Sequence, residues 1–234
     1  MREFGFSTGA LAMSDIKKAL ELSDRHHAGA VEYSALRFDE LKPLVAYLLT
    51  HGTGHYRYAA FHAPSRFDAA DEPVVVALLK ELIQKLKLRI VVHPDVIHDH
   101  ALWRELGEWL CVENMDHRKP IGRTVEELEP IFQELPEARL CFDIGHAHEI
   151  DRSMSRGYEI LRRYRNRIAH VHASEVSDEC AHRGFSASSA AAFAKLAGLI
   201  PETAPIILET VTKDEEVGEQ LKEAKSIFRT PRSK

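Results

Sequence analysis

A chain of 234 residues, 44% hydrophobic and 29% charged, is long enough to bury a full core and reads as an ordinary globular protein. Its formal net charge of −5 excludes a global positive field of the kind that gathers nucleic acid or anionic membrane. There is no signal-peptide pattern at the start and no apolar run near the roughly 18 residues of a membrane span. Cys111, Cys141 and Cys180 show no disulfide or zinc-ribbon spacing, so the expectation is a cytoplasmic protein.

In chain order, short β-branched or apolar runs alternate with stretches of helical period. The runs are Phe4–Ser7, Ala30–Tyr33, Tyr58–His62, Arg89–His93, Leu110–Glu113, Arg139–Asp143, Ile168–His172 and Ile206–Glu209. Between them lie helical stretches that include Ser14–Arg25, Phe38–Thr50, Pro73–Leu86, Val125–Leu135 and Ser186–Leu199. Ser14, and Thr124 with Glu127 three residues on, mark helix starts. Strict β–α alternation predicts a parallel sheet, and eight repeats predict closure into a single (β/α)₈ TIM barrel over residues 1–234. The basic end, Arg229–Lys234, is expected to fray.

Polar residues end the runs at Glu32, His62, His93, Glu113, Asp143, His172 and Glu209, separated by 30, 31, 20, 30, 29 and 37 residues. The 20-residue step implies a short helix around His98–Leu106, and the 37-residue step an enlarged loop after the seventh strand. A strand buried on both faces should finish in apolar or small residues, yet these finish in potential metal ligands, on the face where barrel active sites form. A cluster of buried carboxylates requires a compensating cation, and carboxylate with neutral imidazole is a standard divalent-metal donor set.

The segments FHAPS, VVHPD, CVENMD, CFDIGHAH, VHASE and ILET, taken in order at barrel spacing, resemble the xylose isomerase-like barrel superfamily. That group contains sugar isomerases and epimerases and the endonuclease IV-like enzymes (AP endonuclease family 2). The resemblance implies that Glu113, Asp143, His172 and Glu209 form a four-ligand metal site. It implies a second site made by His62 and His93 with Glu113 as a bridge, and a third that uses His146 and His182. In the epimerases the position of His146 contacts substrate instead. After the seventh strand the sequence departs from the nuclease pattern: Cys180 stands where an aspartate is expected, with Asp178 and Glu179 as alternatives.

The expected cofactors are one to three Zn²⁺ or Mn²⁺ ions, and the expected partner is a small sugar or sugar phosphate. Glu113 and Glu209 are the expected acid–base pair, and His146, Glu32, Arg118, Lys119 and Arg183 the expected substrate contacts. The cluster His117, Arg118, Lys119 and Arg123 would serve anion capture. An endonuclease IV-like zinc phosphodiesterase acting at abasic DNA is the competing activity, disfavoured by the acidity and the short loops. An inactive barrel is the third reading; retention of all four core ligands argues against it. His170 reads as a core histidine below His172, His148 as part of the loop after the sixth strand, and Cys111 and Cys141 as small core fillers.

Overall fold

The computed structural model describes residues 2–13 and 15–229. Strands β1 (Phe4–Ser7), β2 (Ala30–Ser34), β3 (Tyr58–His62), β4 (Arg89–Val92), β5 (Leu110–Glu113), β6 (Arg139–Asp143), β7 (Ile168–Ala173) and β10 (Ile206–Leu208) close into one parallel barrel. The eighth barrel strand is numbered β10 because a short antiparallel hairpin, β8 (Glu175–Val176) and β9 (His182–Arg183), intervenes. The ring is shut by β10, which pairs β7 on one side and β1 on the other, with Phe4 opposite Ile206 and Phe6 opposite Leu208. The protein is therefore a single (β/α)₈ barrel.

Ten α-helices lie among the described residues: α1 (Thr8–Ala12), α2 (Ile16–Arg25), α3 (Phe38–His51), α4 (Glu72–Leu86), α5 (His100–Arg104), α6 (Val125–Glu134), α7 (Ile144–Ile150), α8 (Ser155–Tyr164), α9 (Ala187–Ala197) and α10 (Val217–Ile227). Each long helix turns a stripe onto the sheet: Val75, Val76, Leu79, Leu82 and Ile83 of α4 recur at the three-to-four-residue period of a buried face. Caps define the ends. Thr124 accepts from Glu127 N at the start of α6, and Ser186 forms a reciprocal capping box with Ser189 at α9. The expected start of α2 at Ser14 lies outside the described residues; Asp15 is the residue that caps it, accepting from Lys18 N. The short helix expected near His98–Leu106 is α5.

Register sets the position of the functional residues. Strands β2 and β5 are buried along their whole length, as sheet covered by helices outside and side chains inside must be. Asp143 lies opposite His172 across β6 and β7, after a register shift between Leu140 and Cys141 that pairs Cys141 with His170. His170 and His172 thus both project inward, one layer apart, and Cys111, Cys141 and Val91 fill the layer beneath the polar residues.

Candidate metal centre

Four strand ends converge at the carboxyl-terminal mouth of the barrel. One ligand atom each from Glu113, Asp143, His172 and Glu209 lies within 4.8 Å of all the others. His172 Nδ1 stands between Glu113 Oε1 at 3.4 Å and Glu209 Oε1 at 3.6 Å. The other ring nitrogen, Nε2, donates to Glu32 Oε2 at 3.0 Å, which orients the ring so that Nδ1 faces the carboxylates. Asp143 is held by Asn114, whose amide nitrogen donates to Asp143 O and whose carbonyl accepts from Asp143 N, both at 2.8 Å. Asp143 also caps α7: its Oδ1 accepts from His146 N at 2.7 Å. Its other oxygen, Oδ2, is fully buried and has no hydrogen-bond partner.

Glu113 reaches two ways. Its Oε1 faces His172, and His146 Nδ1 at 3.4 Å; its Oε2 meets His62 Nε2 at 3.1 Å and His93 Nε2 at 3.5 Å. The His62 and His93 rings meet edge to face with centroids 5.0 Å apart. His62 Nδ1 donates to Ala63 O at 2.7 Å, so Nε2 is the nitrogen directed at Glu113. Farther out, His146 and His182 stack edge-on, and His182 Nδ1 lies 2.8 Å from Ser174 Oγ and 3.6 Å from Glu209 Oε2.

The electrostatics call for a cation. Burial, reinforced by Glu113, Asp143 and Glu32 against an opposing pull from His172, pushes the Glu209 carboxyl up to about 7. Burial likewise raises Asp143. Glu113 is equally buried, but His172, His62 and His93 outweigh that and hold it well below the usual carboxylate range. His62 goes the other way from a buried imidazole: burial would lower it, yet Glu113 and Glu32 raise it to about 9. His182, packed against the His146 ring, is lowered by burial and by the neighbouring imidazoles to about 3. A divalent ion would relieve the carboxylate repulsion and satisfy Asp143 Oδ2, so the donor set fits such an ion on charge, chemistry and geometry.

Glu113 and Glu209 of the cluster face a cavity of about 240 Å³, with Asp143 and His172 fully buried. Its wall carries His62, His93, His146, His182, Asp116, Arg118 and Lys119, and its rim Ala10, Met13, Leu36 and Val211. Several expected positions are corrected. Glu32 does not look into the mouth; it is fully buried behind His172, with His170 Nε2 at 3.2 Å. Arg183 is exposed, 3.7 Å from Glu179, and is not part of the cavity wall. Neither Asp178, which pairs with Arg152, nor Glu179, held by Ser177, reaches His146 or His182, and Cys180 turns toward His117. His148 belongs to helix α7 instead of a loop.

The basic cluster is also paired locally. Arg118 grips Asp116, Lys119 Nζ lies 2.8 Å from Asp95 Oδ2, Arg123 grips Glu127, and His117 bonds Glu149. Asp116 is a site residue that the strand-end pattern does not mark. Its side chain is almost fully buried, with Oδ2 3.8 Å from His146 Nε2. Its only sequence signal is that it ends the CVENMD segment, three residues past Glu113 and so on the same wall.

Residues 99–230 match the family described as xylose isomerase-like TIM barrel, which covers more than half of the chain. The chain belongs to this family. That stretch contains β5, β6, β7 and β10, the four strands that supply or lead into the ligand cluster. No curated protein matches this member of the family in sequence. Among solved structures, a 3-keto-D-glucoside 4-epimerase, YcjR, from E. coli superposes with a TM-score of 0.66 at 10% identity, over 97% of this chain and 99% of that one. A D-tagatose 3-epimerase-like protein gives 0.62 at 20% identity, over 97% and 98%. The protein SacUVDE gives 0.57 at 16% identity, over 92% and 86%. At such identities the likeness establishes the shared barrel fold and nothing finer.

Proposed function

We propose that this protein is a divalent-metal-dependent sugar isomerase or epimerase that moves a proton at a carbon beside a carbonyl. The observation that carries the reading is the meeting of Glu113, Asp143, His172 and Glu209 beneath a small mouth that Glu113 and Glu209 line. Glu113, Asp143, His172 and Glu209 would hold one ion, and His62 and His93 with the far oxygen of Glu113 a second. The imidazole share of these sets favours Zn²⁺ or Mn²⁺ over Mg²⁺. When bound, the ion supplies Lewis acidity that acidifies a C–H beside a chelated carbonyl and hydroxyl.

The chain does the rest. Glu209 takes the proton from the substrate carbon at one carboxylate oxygen, and Glu113 serves as its acid–base counterpart. His146 and His182, standing above the floor, orient substrate hydroxyls. Two features favour an unphosphorylated sugar: Arg118 and Lys119 are already committed to Asp116 and Asp95, and the cavity falls just below the ~300–1,000 Å³ of drug-sized ligand sites. The same two features weigh against an abasic duplex, whose binding needs free cations along a broad surface. The three free cysteines suit the reducing cytoplasm.

The test is an assay of metal-loaded protein in deuterated water against a panel of ketoses and their phosphates, beside an abasic oligonucleotide. The expected result is deuterium in product at the carbon between carbonyl and hydroxyl. Metal-dependent nicking of the oligonucleotide, with no exchange into any sugar, would overturn the reading in favour of phosphodiester hydrolysis.

A further inference from the structure

Outside the cavity wall, three potential ligands meet without any core packing to explain it. One atom each from His117, Glu149 and Cys180 lies within 4.8 Å of the other two. They come from three separate connections: the turn after β5, the last turn of α7, and the loop of the β8–β9 hairpin. Cys180 is buried, the Glu149 side chain is 6% exposed, and the His117 side chain is 52% exposed, so the group opens to solvent on one side.

His117 Nδ1 faces both neighbours. It donates to Glu149 Oε1 and lies 3.4 Å from Cys180 Sγ, while the His117 backbone N donates to Glu149 Oε2 at 3.1 Å. In tetrahedral zinc, bonds of ~2.3 Å to sulfur and ~2.1 Å to nitrogen place the two donors about 3.6 Å apart. The observed sulfur–nitrogen separation is within a few tenths of an ångström of that.

Cys180 holds this place against its backbone preference. Its φ of 56° is left-handed backbone, which disfavours a non-glycine residue by about 1–2 kcal/mol. The turn is kept by Cys180 N donating to Ser177 O at 2.8 Å and Ala181 N donating to Ser177 Oγ at 3.2 Å.

We infer that His117, Glu149 and Cys180 form a separate site for a thiophilic divalent cation, zinc by its donor set, that clips the hairpin to the wall of the mouth. Cys180 Sγ, His117 Nδ1 and a Glu149 oxygen are the ligands, and water takes the fourth position. Binding releases the thiol proton to solvent, the imidazole proton passes from Nδ1 to Nε2 through solvent exchange, and the ion takes the place of the His117–Glu149 hydrogen bond. Asp116 and Arg118 flank His117, and His182 follows Cys180 by two residues, so the clip fixes side chains that line the cavity without entering it.

Cobalt titration of the full-length, metal-stripped protein tests this, because the floor cluster contains only oxygen and nitrogen donors. The expected result is a thiolate-to-cobalt charge-transfer band in the wild type. Cys180→Ser, His117→Ala and Glu149→Gln should each abolish it or weaken cobalt binding at that band at least tenfold, with one equivalent of zinc lost by elemental analysis. Cys141→Ala, which removes the thiol nearest His172, should retain the band. Cobalt uptake without the band, or a band that survives Cys180→Ser, would overturn the inference. A band with no uptake at the floor cluster would sustain the clip and refute the floor reading, so the two can fail separately. Should Cys180→Ser fail to fold, the His117 and Glu149 variants decide the matter alone.

Discussion

His172 is constrained from both sides of its ring. Nε2 is tied to a buried carboxylate, Glu32, and Nδ1 is thereby presented to Glu113 and Glu209. Such partners orient a ligand and raise its basicity, and losing one typically costs 10- to 100-fold in metal affinity. Glu32→Gln, which keeps the volume and an accepting oxygen but removes the charge, should therefore weaken divalent-metal binding by roughly tenfold or more in calorimetry. Affinity unchanged within twofold would deny Glu32 this role. Glu209→Gln makes the complementary case: the amide retains a ligand oxygen but cannot accept a proton, so turnover should fall by a factor of ~10² or more while metal is retained.

The same side chains set a pH dependence for the metal-free protein. His62 is raised from 6.5 to about 9, so its stabilising contribution is complete below pH 6.5 and is lost as pH rises through 9. In urea melts, metal-free protein should lose on the order of 2 kcal/mol between pH 7 and 9, since each pH unit across that window weakens the fold by ~1.4 kcal/mol. Saturating zinc should abolish that slope, because the His62 ligand must then be neutral throughout. At this scale the ligands themselves were legible in the sequence, since each is a polar residue ending an apolar run. Glu32 reads in the sequence as ending such a run, but β2 continues to Ser34, which pairs opposite His62, so Glu32 lies one layer below the mouth, behind His172. Asp116 was invisible because it sits beyond a strand end, where polar residues are ordinary.

Among elements, the turn from β6 into α7 bears the most consequence. A Cβ added to Gly145 would lie 2.4 Å from Ser174 O and 2.9 Å from a Val176 methyl, neither of which can give way readily. The glycine of the DIGH segment is thus required by the close approach of α7 to the start of the hairpin. Gly145→Ala should destabilise by roughly 1–3 kcal/mol in denaturant melts and also weaken metal binding, because Asp143 and His146 flank it. A variant as stable as wild type would show that the turn yields more readily than its geometry implies. The strands were readable to within a residue or so because their apolar runs are short and sharply bounded. Helix α7 was not: seven residues give two turns, too few for a period to emerge from Ile144–Ile150. The hairpin was legible only as surplus length after β7.

For the molecule as a whole, the proposed metal binding would link metal to fold. Any ligand bound only by the native state adds RT ln(1 + [L]/Kd), about 2.7 kcal/mol at a hundredfold excess over Kd. For a chain of this size that corresponds to a rise in Tm of roughly 5–10 °C. Thermal melts of chelator-stripped protein with and without Zn²⁺ or Mn²⁺ should show this rise, and identical melts would mean that the cluster holds no ion. Among the described residues no helix is long and apolar enough to cross a membrane. Barrel closure was legible from the number and spacing of the strand-end residues, whereas the pairing of Arg118, Lys119 and Arg123 with nearby carboxylates needed three dimensions.

The pairing of β1 with β10 joins residues some two hundred positions apart. At a synthesis rate of ~5–20 residues per second, one edge of β1 waits on the order of 10–40 s for its neighbour to leave the ribosome. During that interval the sheet is an open one with two bare edges, the arrangement most prone to pairing with other chains. Glu209, the fourth residue of the candidate cluster, directly follows the same late strand. In a nascent chain Glu113, Asp143 and His172 therefore precede it, and the event that seals the ring also brings together the four residues of the candidate cluster, so that metal capture there, as proposed, would follow closure of the barrel.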